Sequence, residues 1–279
     1  MGSIRQSLGV AAVLGMAMAS SALAQDDARE KLKIPVGAGL ASEIGHFPRG
    51  TPGTSTGSPI AFGANWGDIY AGAGLQAPIR YSTASDGGLT VGMGFANAVQ
   101  YVGIDVGLTA LSTVRSGVGN RVGLSAKVHK VFGDNWGVAV GVMNVYLNNK
   151  PVDGNASVFG VVSKVVDLSG TWLSDFRSLT LSAGVGNEDF RLEQDIRSGN
   201  KTVAAFGSAA LRIWEPVSQI VDWPGQDLDV GVSIVPFKEF PLVITPAVVD
   251  LTGSAGTHNY GTAAARPRFT LGVGMAVKF

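Results

Sequence analysis

The sequence contains no cysteine and only three histidines among its 279 residues. The missing cysteines exclude disulfides, cysteine metal sites and thiol catalysis. Charged residues make up only 15% of the chain, and the 21 basic and 21 acidic residues cancel. The chain therefore has no basic patch of the kind that binds nucleic acid, and it has no run of like charges of the kind found in tails. After Ala24, no apolar run approaches the ~20 residues that a membrane-spanning helix needs.

The first 24 residues have the features of a secretory signal peptide. Arg5 lies near the start, residues 8–18 are apolar, and the small-residue ending Ala-Leu-Ala precedes Gln25. This arrangement predicts cleavage after Ala24, and with it export.

From Pro35 onward Gly, Pro, Ser and Thr dominate, which is typical of a flexible linker. We therefore expect a signal peptide at 1–24, a periplasmic leader at 25–66 and one domain at 67–279. A plug inside that domain is the alternative for the leader.

Most of the remaining chain consists of short segments that alternate apolar with small or polar residues. In the last segment, FTLGVGMAVKF, every second residue from Phe269 to Phe279 is apolar. A period of two predicts a β-strand with one apolar face. Segments of this kind, separated by turn residues, predict twelve strands at 68–81, 88–96, 99–111, 120–132, 136–147, 157–168, 178–186, 202–213, 217–223, 227–236, 241–250 and 268–279.

An apolar, exported chain with many short strands predicts an all-β fold, a closed antiparallel transmembrane barrel, because open sheet edges cannot lie in lipid. Apolar faces then contact lipid and charges face the lumen, since Lys or Arg facing lipid at the midplane costs ~2–4 kcal/mol. Segments 157–168 and 241–250 are apolar on both faces, so their orientation stays open. A soluble periplasmic all-β protein is the alternative fold.

The tail resembles the C-terminal assembly signal of Gram-negative outer-membrane barrels. Gly274, Val277 and Phe279 carry the resemblance, and Gly272 stands where that signal usually has a polar residue. The resemblance implies a bacterial outer-membrane location and contact with outer-membrane lipid. It also implies that periplasmic chaperones and the barrel-assembly machinery act on the chain during biogenesis. It does not indicate an oligomeric state.

Residues 218–234, SQIVDWPGQDLDVGVSI, resemble a hairpin of uncharacterised outer-membrane barrels, some of them associated with exopolysaccharide secretion. The resemblance is carried by Asp222, Trp223, Gly225, Asp227, Leu228 and Gly231. In physical terms, Pro224-Gly225 predicts a tight turn and Trp223 suits a membrane interface.

Charged and titratable residues on the expected lumen faces are the candidate site. They are Asp105, Arg121, Lys127, His129, Asp227 and Asp229. Because both signs occur, these residues predict a constriction that selects solutes, and a salt-bridged network that seals the lumen is the alternative. The expected function is a porin-like passive channel for small polar solutes. The alternative is a closed-lumen structural or accessory barrel in envelope or exopolysaccharide assembly.

The three histidines show no catalytic neighbourhood in the sequence. His46 lies in the leader, His129 on a strand and His258 in a predicted loop, and none has a nearby Ser or Asp in a known catalytic spacing. We expect no enzymatic activity, no metal and no cofactor. The charged loop at 187–201 is expected to be solvated, with binding of a cation or polar partner as the alternative.

Overall fold

The computed structural model describes residues 50–80, 84–113, 117–149, 155–254 and 267–279. The expected signal peptide, the leader up to residue 49, His46 and His258 lie outside the described residues. Within the described part of the chain, no helix is long and apolar enough to cross a membrane.

Twelve antiparallel strands close into a barrel, in which each strand pairs with its chain neighbours and β1 pairs with β12. The strands are β1 (Asp68–Ala77), β2 (Asp86–Phe95), β3 (Gly103–Ala110), β4 (Val122–Phe132), β5 (Trp136–Tyr146), β6 (Ser157–Asp167), β7 (Ser178–Gly186), β8 (Ala204–Trp214), β9 (Val217–Trp223), β10 (Asp229–Ile234), β11 (Leu242–Val249) and β12 (Arg268–Lys278). The predicted fold class and strand count are confirmed, and β7 and β9 have the predicted bounds.

The chain end closes the barrel. β12 pairs with β1 over ten residues, from Asp68 opposite Lys278 to Ala77 opposite Phe269. We call the end of the barrel at Phe279 the tail end, and the opposite end the loop end. The connections at 96–102, 133–135, 168–177, 215–216 and 235–241 lie at the tail end, which leaves the longest connections at the loop end.

The two faces of the strands follow the predicted alternation. Apolar side chains such as Val140, which is 63% exposed, cover the outside of the barrel. The structure also gives the orientation of the two strands whose inward face the sequence left open. In β6, Phe159 and Ser163 face the lumen, and in β11, Val243 and Thr245 do.

Lys164 departs from the expectation that strand charges face the lumen. It points outward near the tail end, where its amine donates to the Asp134 carbonyl and lies 5.0 Å from the centre of the Trp136 ring. A long side chain can reach a polar group in this way while its stem covers apolar surface.

Among the described residues, most exposed aromatic side chains gather at one end of the barrel, and Phe269, at the loop-end start of β12, is the exception. We call this group the aromatic collar, and its members at the tail end are Trp66, Tyr101, Phe132, Trp136, Trp172, Trp214, Phe237, Phe240 and Phe279. Aromatic residues are enriched where a barrel meets the membrane–water interface.

Residues 51–65, here called the lumenal segment, run inside the barrel, and all of them are buried. Gly50 lies against Pro241 at the tail end, and Gly57 approaches Pro224 at the loop end. The segment then returns to the tail end, where the Asn65 side chain accepts from the Ala98 N–H at 2.7 Å. These residues therefore form a plug, the arrangement stated above as the alternative to a flexible linker. The small side chains of the lumenal segment let its backbone lie close to the barrel wall, whose side chains supply hydrogen-bond partners.

Glycines in the wall provide the room that the lumenal segment occupies. A Cβ on Gly94 would overlap the backbone of Ala64, and a Cβ on Gly137 would lie 2.8 Å from the Phe62 ring. Any larger residue at these positions would push the lumenal segment away from the wall.

Gly94→Ala should therefore destabilise the protein, whereas Gly160→Ala should not. A Cβ on Gly160, in β6, would have its nearest neighbour, Val140 Cγ1, at 3.9 Å. Overpacking of this kind costs ~1–3 kcal/mol. Urea unfolding of both variants in detergent measures the difference, and equal midpoints would contradict the packing described here.

Candidate functional site in the barrel lumen

The six residues predicted from the sequence do not form one constriction. Asp105, Lys127 and His129 lie together on β3 and β4, facing the lumen. Asp227 and Asp229 lie at the loop end, where β10 begins. The sixth residue, Arg121, precedes β4 at the loop-end rim, and its Nε donates to the Asn149 carbonyl at 3.2 Å.

Lys127 holds the returning arm of the lumenal segment. Its Nζ donates to the carbonyls of Phe62 at 2.5 Å and Ile60 at 3.3 Å. The Asp105 carboxylate, directly opposite on β3, lies 3.8 Å from the same nitrogen. The lysine charge is therefore compensated within the protein.

Asp105 and His129 hold the next residues of the same arm. Asp105 accepts from the Tyr70 hydroxyl at 2.7 Å and from the Ala64 N–H at 3.3 Å. His129 Nε2 lies 3.1 Å from the Ala64 carbonyl oxygen. Lys127, Asp105 and His129 thus each contact the backbone of the lumenal segment.

A small cavity remains beside this arm. Its volume is about 50 Å³, and its lining includes Pro59, Tyr70, Asp105, Lys127 and Phe159. The lining is mainly apolar, with polar groups from Asp105 and Lys127, and the cavity has room for a few water molecules.

Asp222, on β9, anchors the apex of the lumenal segment. Its Oδ2 accepts from the backbone N–H groups of Thr56 at 2.7 Å, Gly57 at 2.8 Å and Ser58 at 3.1 Å. The hydroxyls of Ser55 and Thr56 donate to the same oxygen at 2.8 and 3.0 Å, and the Ser58 hydroxyl donates to Oδ1. Successive N–H groups that converge in this way form an anion-binding concavity. Here the anion is a side chain of the barrel wall.

Serine hydroxyls of the wall hold both arms of the lumenal segment. The Gly53 N–H donates to Ser233 Oγ at 2.7 Å, and the Ala61 N–H donates to Ser163 Oγ at 2.9 Å. These hydrogen bonds use wall side chains and leave the strand-to-strand ladder intact. The barrel is thus closed without the help of the segment.

Residues 187–200, here called the lid, cover the loop end between β7 and β8. They contain a 3-10 helix at Glu188–Phe190 and a short α-helix, α1, at Glu193–Ser198. The Phe190 ring is buried, with its centre 4.5 Å from the Phe206 ring and 6.1 Å from the Phe159 ring. The lid is therefore seated on apolar residues of the lumen wall.

A buried ion-pair cluster joins the lid to the rest of the loop end. Arg80 follows β1, and its guanidinium pairs with Glu193 of α1 at 2.6 Å and with Asp227. Arg268 Nη2 lies 3.2 Å from Asp227. Buried charges are stable only when they are paired in this manner.

Carboxyl pKa values at the loop end follow from these neighbours. Burial raises the pKa of Asp227, but the Arg80 guanidinium outweighs it, so the pKa lies below its usual value. Burial and the Asp227 carboxylate raise the pKa of Asp250, which directly follows β11, to about 6. In the lid, burial also raises the pKa of Asp189.

Sequence reasoning assigned no lumen role to four further residues that hold the interior together, Asp222, Arg80, Arg268 and Glu193. Asp222 shares the inward face of β9 with Ser218 and Ile220, so alternation could have placed it in the lumen. Arg268 begins β12 on the same face as the buried Thr270, so alternation could have placed it in the lumen as well. Arg80 and Glu193 lie outside the strands, where alternation carries no signal.

Among the described residues, no group of three or more His, Cys, Asp or Glu side chains is placed to hold a metal ion. No protein-family model matches the chain, and no curated protein matches it. The barrel and its occupied lumen are therefore the features that bear on function.

Asp222→Asn should loosen the apex of the lumenal segment. Hydrogen bonds to a charged acceptor contribute ~1.5–3 kcal/mol each, against ~0.5–1.5 for neutral pairs. Amide hydrogen exchange at Thr56, Gly57 and Ser58 should accelerate at least about tenfold, which corresponds to about 1.4 kcal/mol. Asp175→Asn, in an exposed tail-end turn, is the matched control. Unchanged protection in Asp222→Asn would show that the carboxylate does not anchor the apex.

Proposed function

We propose that this protein is an outer-membrane β-barrel with a closed lumen, and that it has a structural or accessory role in the envelope. The apolar exterior and the aromatic collar support membrane insertion, because lipid-facing bands of barrels are apolar and edged by aromatics. The mostly short connections at the tail end favour a periplasmic location for that end.

The observation that carries the closed lumen is the buried lumenal segment. It reaches from Pro241 at the tail end to Pro224 near the loop end, and it is bound by side chains of several strands. Above it the lid is seated by Phe190 and by the Arg80–Glu193 pair. An open passage for solutes would require both to move.

A porin-like channel for small polar solutes is the second candidate. One observation favours it: lumen-facing hydroxyls on many strands would line a polar passage if the lumenal segment left. They are Thr90, Thr109, Ser125, Ser163, Ser182, Ser208, Ser218, Ser233, Thr245 and Thr270. A role in exopolysaccharide assembly depends on the resemblance at residues 218–234 alone.

We also propose that the protein is not an enzyme. His129 is buried against the Ala64 carbonyl, where it holds the lumenal segment. Its ring therefore serves to hold the segment, and we assign His129 no catalytic role.

Membrane insertion predicts that the same substitution has a large effect at one exposed valine and a small effect at another. Val140 lies in the middle of β5, and Val203 lies just before β8 at the loop end. Val140→Arg should lower the free energy of unfolding in lipid vesicles by ~2–4 kcal/mol, while Val203→Arg should have little effect. Urea titration in vesicles measures both. If both variants fold as the unaltered chain does, the proposed lipid-facing band is contradicted.

A planar bilayer distinguishes the two candidate functions. Refolded chain comprising residues 25–279 should insert and remain electrically silent, because the lumenal segment blocks the lumen. Asp222→Asn, which loosens that segment, should give brief openings and thereby demonstrate that insertion occurs. Long, stable openings of the unaltered chain would overturn the closed lumen and favour the porin-like channel.

A further inference from the structure

The turn between β9 and β10, residues 224–228, lies between the lumenal segment and the lid. On its inner side, a Cβ on Gly57 would lie 3.6 Å from Pro224 Cβ. The Ser58 hydroxyl lies 3.3 Å from the Trp223 carbonyl, directly before the turn. The residue before Trp223 is Asp222, so the apex of the segment is bound to the strand that leads into this turn.

On its outer side the same turn supports the lid. Gln226 Nε2 donates to the Asp189 carbonyl at 2.7 Å. Gly225 has a φ of +102°, and a Cβ there would overlap the carbonyl of Phe190. This position requires glycine for two reasons, since its backbone conformation suits few other residues and the lid backbone touches it.

The end of the turn adds a charged connection to the lid. Asp227 pairs with Arg80, and Arg80 pairs with Glu193 of α1 at 2.6 Å. The described part of the turn thus contacts the lid through Gly225, Gln226 and, by way of Arg80, Asp227. Toward the lumen, Pro224 of the turn and Trp223 before it face residues 57 and 58.

We propose that the β9–β10 turn couples the lid to the lumenal segment, so that displacement of either weakens the hold on the other. The lid contacts Gly225 and the Gln226 side chain, while Pro224 and the Trp223 carbonyl, next to Asp222, face residues 57–58 of the lumenal segment. If the lid leaves, the turn relaxes and the hydrogen bonds of Asp222 to residues 56–58 lose their alignment. The coupling is reciprocal, because a coupling free energy acts equally in both directions. It depends on the buried segment and not on whether the barrel conducts.

A thiol reporter tests the outward-to-inward direction. The chain has no cysteine, so Thr54→Cys introduces a single thiol at a fully buried position of the lumenal segment. The Thr54 hydroxyl has no hydrogen-bond partner among the described residues, so the substitution removes none there. The measurement is the rate of maleimide labelling of the refolded chain, residues 25–279, in detergent.

Phe190→Ala, added to the reporter, should unseat the lid and raise the labelling rate about tenfold, within the usual range of coupling between two sites. Gln226→Ala is a milder variant for the case that Phe190→Ala does not fold, and it should raise the rate less. Lys201→Ala is the control, since its side chain is 74% exposed and its amine lies 4.0 Å from Glu188. It should leave the labelling rate unchanged.

Trypsin cleavage within the lid tests the inward-to-outward direction. Asp222→Asn, which frees the lumenal segment, should raise the cleavage rate after Arg191 by a similar factor, while Asp175→Asn should not. Circular dichroism confirms that each variant keeps its strands.

The proposal is overturned if Phe190→Ala speeds lid cleavage while labelling at position 54 stays at the control rate. It is equally overturned if Asp222→Asn speeds that labelling and leaves lid cleavage unchanged. Neither result depends on conductance, so the closed-lumen proposal is tested separately.

Discussion

The Asp222 carboxylate is buried in the barrel, and a buried charge is stable only where hydrogen bonds replace water. The neighbouring wall offers mainly hydroxyls, and those of Ser208 and Ser218 are not directed at it. Residues 55–58 supply the missing donors with three N–H groups and three hydroxyls. The path of the lumenal segment follows from this requirement, because its apex must reach β9 before the chain can return to begin β1.

Both the glycines and the charged residues of the wall fit an occupied lumen. Glycines of the wall, such as Gly94 and Gly137, leave space that the lumenal segment takes up. Lys127 and Asp105, which would attract solutes in an open channel, instead neutralise each other and bind the backbone of residues 60–64. Lys127 and Asp105 would therefore face an open lumen, and could attract solutes, only if the lumenal segment were absent.

Much of the barrel could be predicted because strand alternation is a local property of the sequence. The faces of β3, β4 and β12 follow it throughout, whereas β6 and β11 needed their neighbours to decide which face turns inward. The plug could not be predicted in the same way, because a Gly- and Ser-rich sequence reads as a linker when its partner, Asp222, lies more than 160 residues away. The ion pairs of Arg80 join loops, where no period exists to reveal them.

The most direct test of the account is a disulfide between the lumenal segment and the wall. In Gly57→Cys/Pro224→Cys the two Cβ atoms would lie 3.6 Å apart, within the ~3.5–4.5 Å that disulfides require, and no native cysteine competes. We predict that mild oxidation of the folded chain forms this bond rapidly, as mass spectrometry of a digest would show. Free thiols at both positions in a folded barrel would contradict the claim that residues 51–65 occupy the lumen.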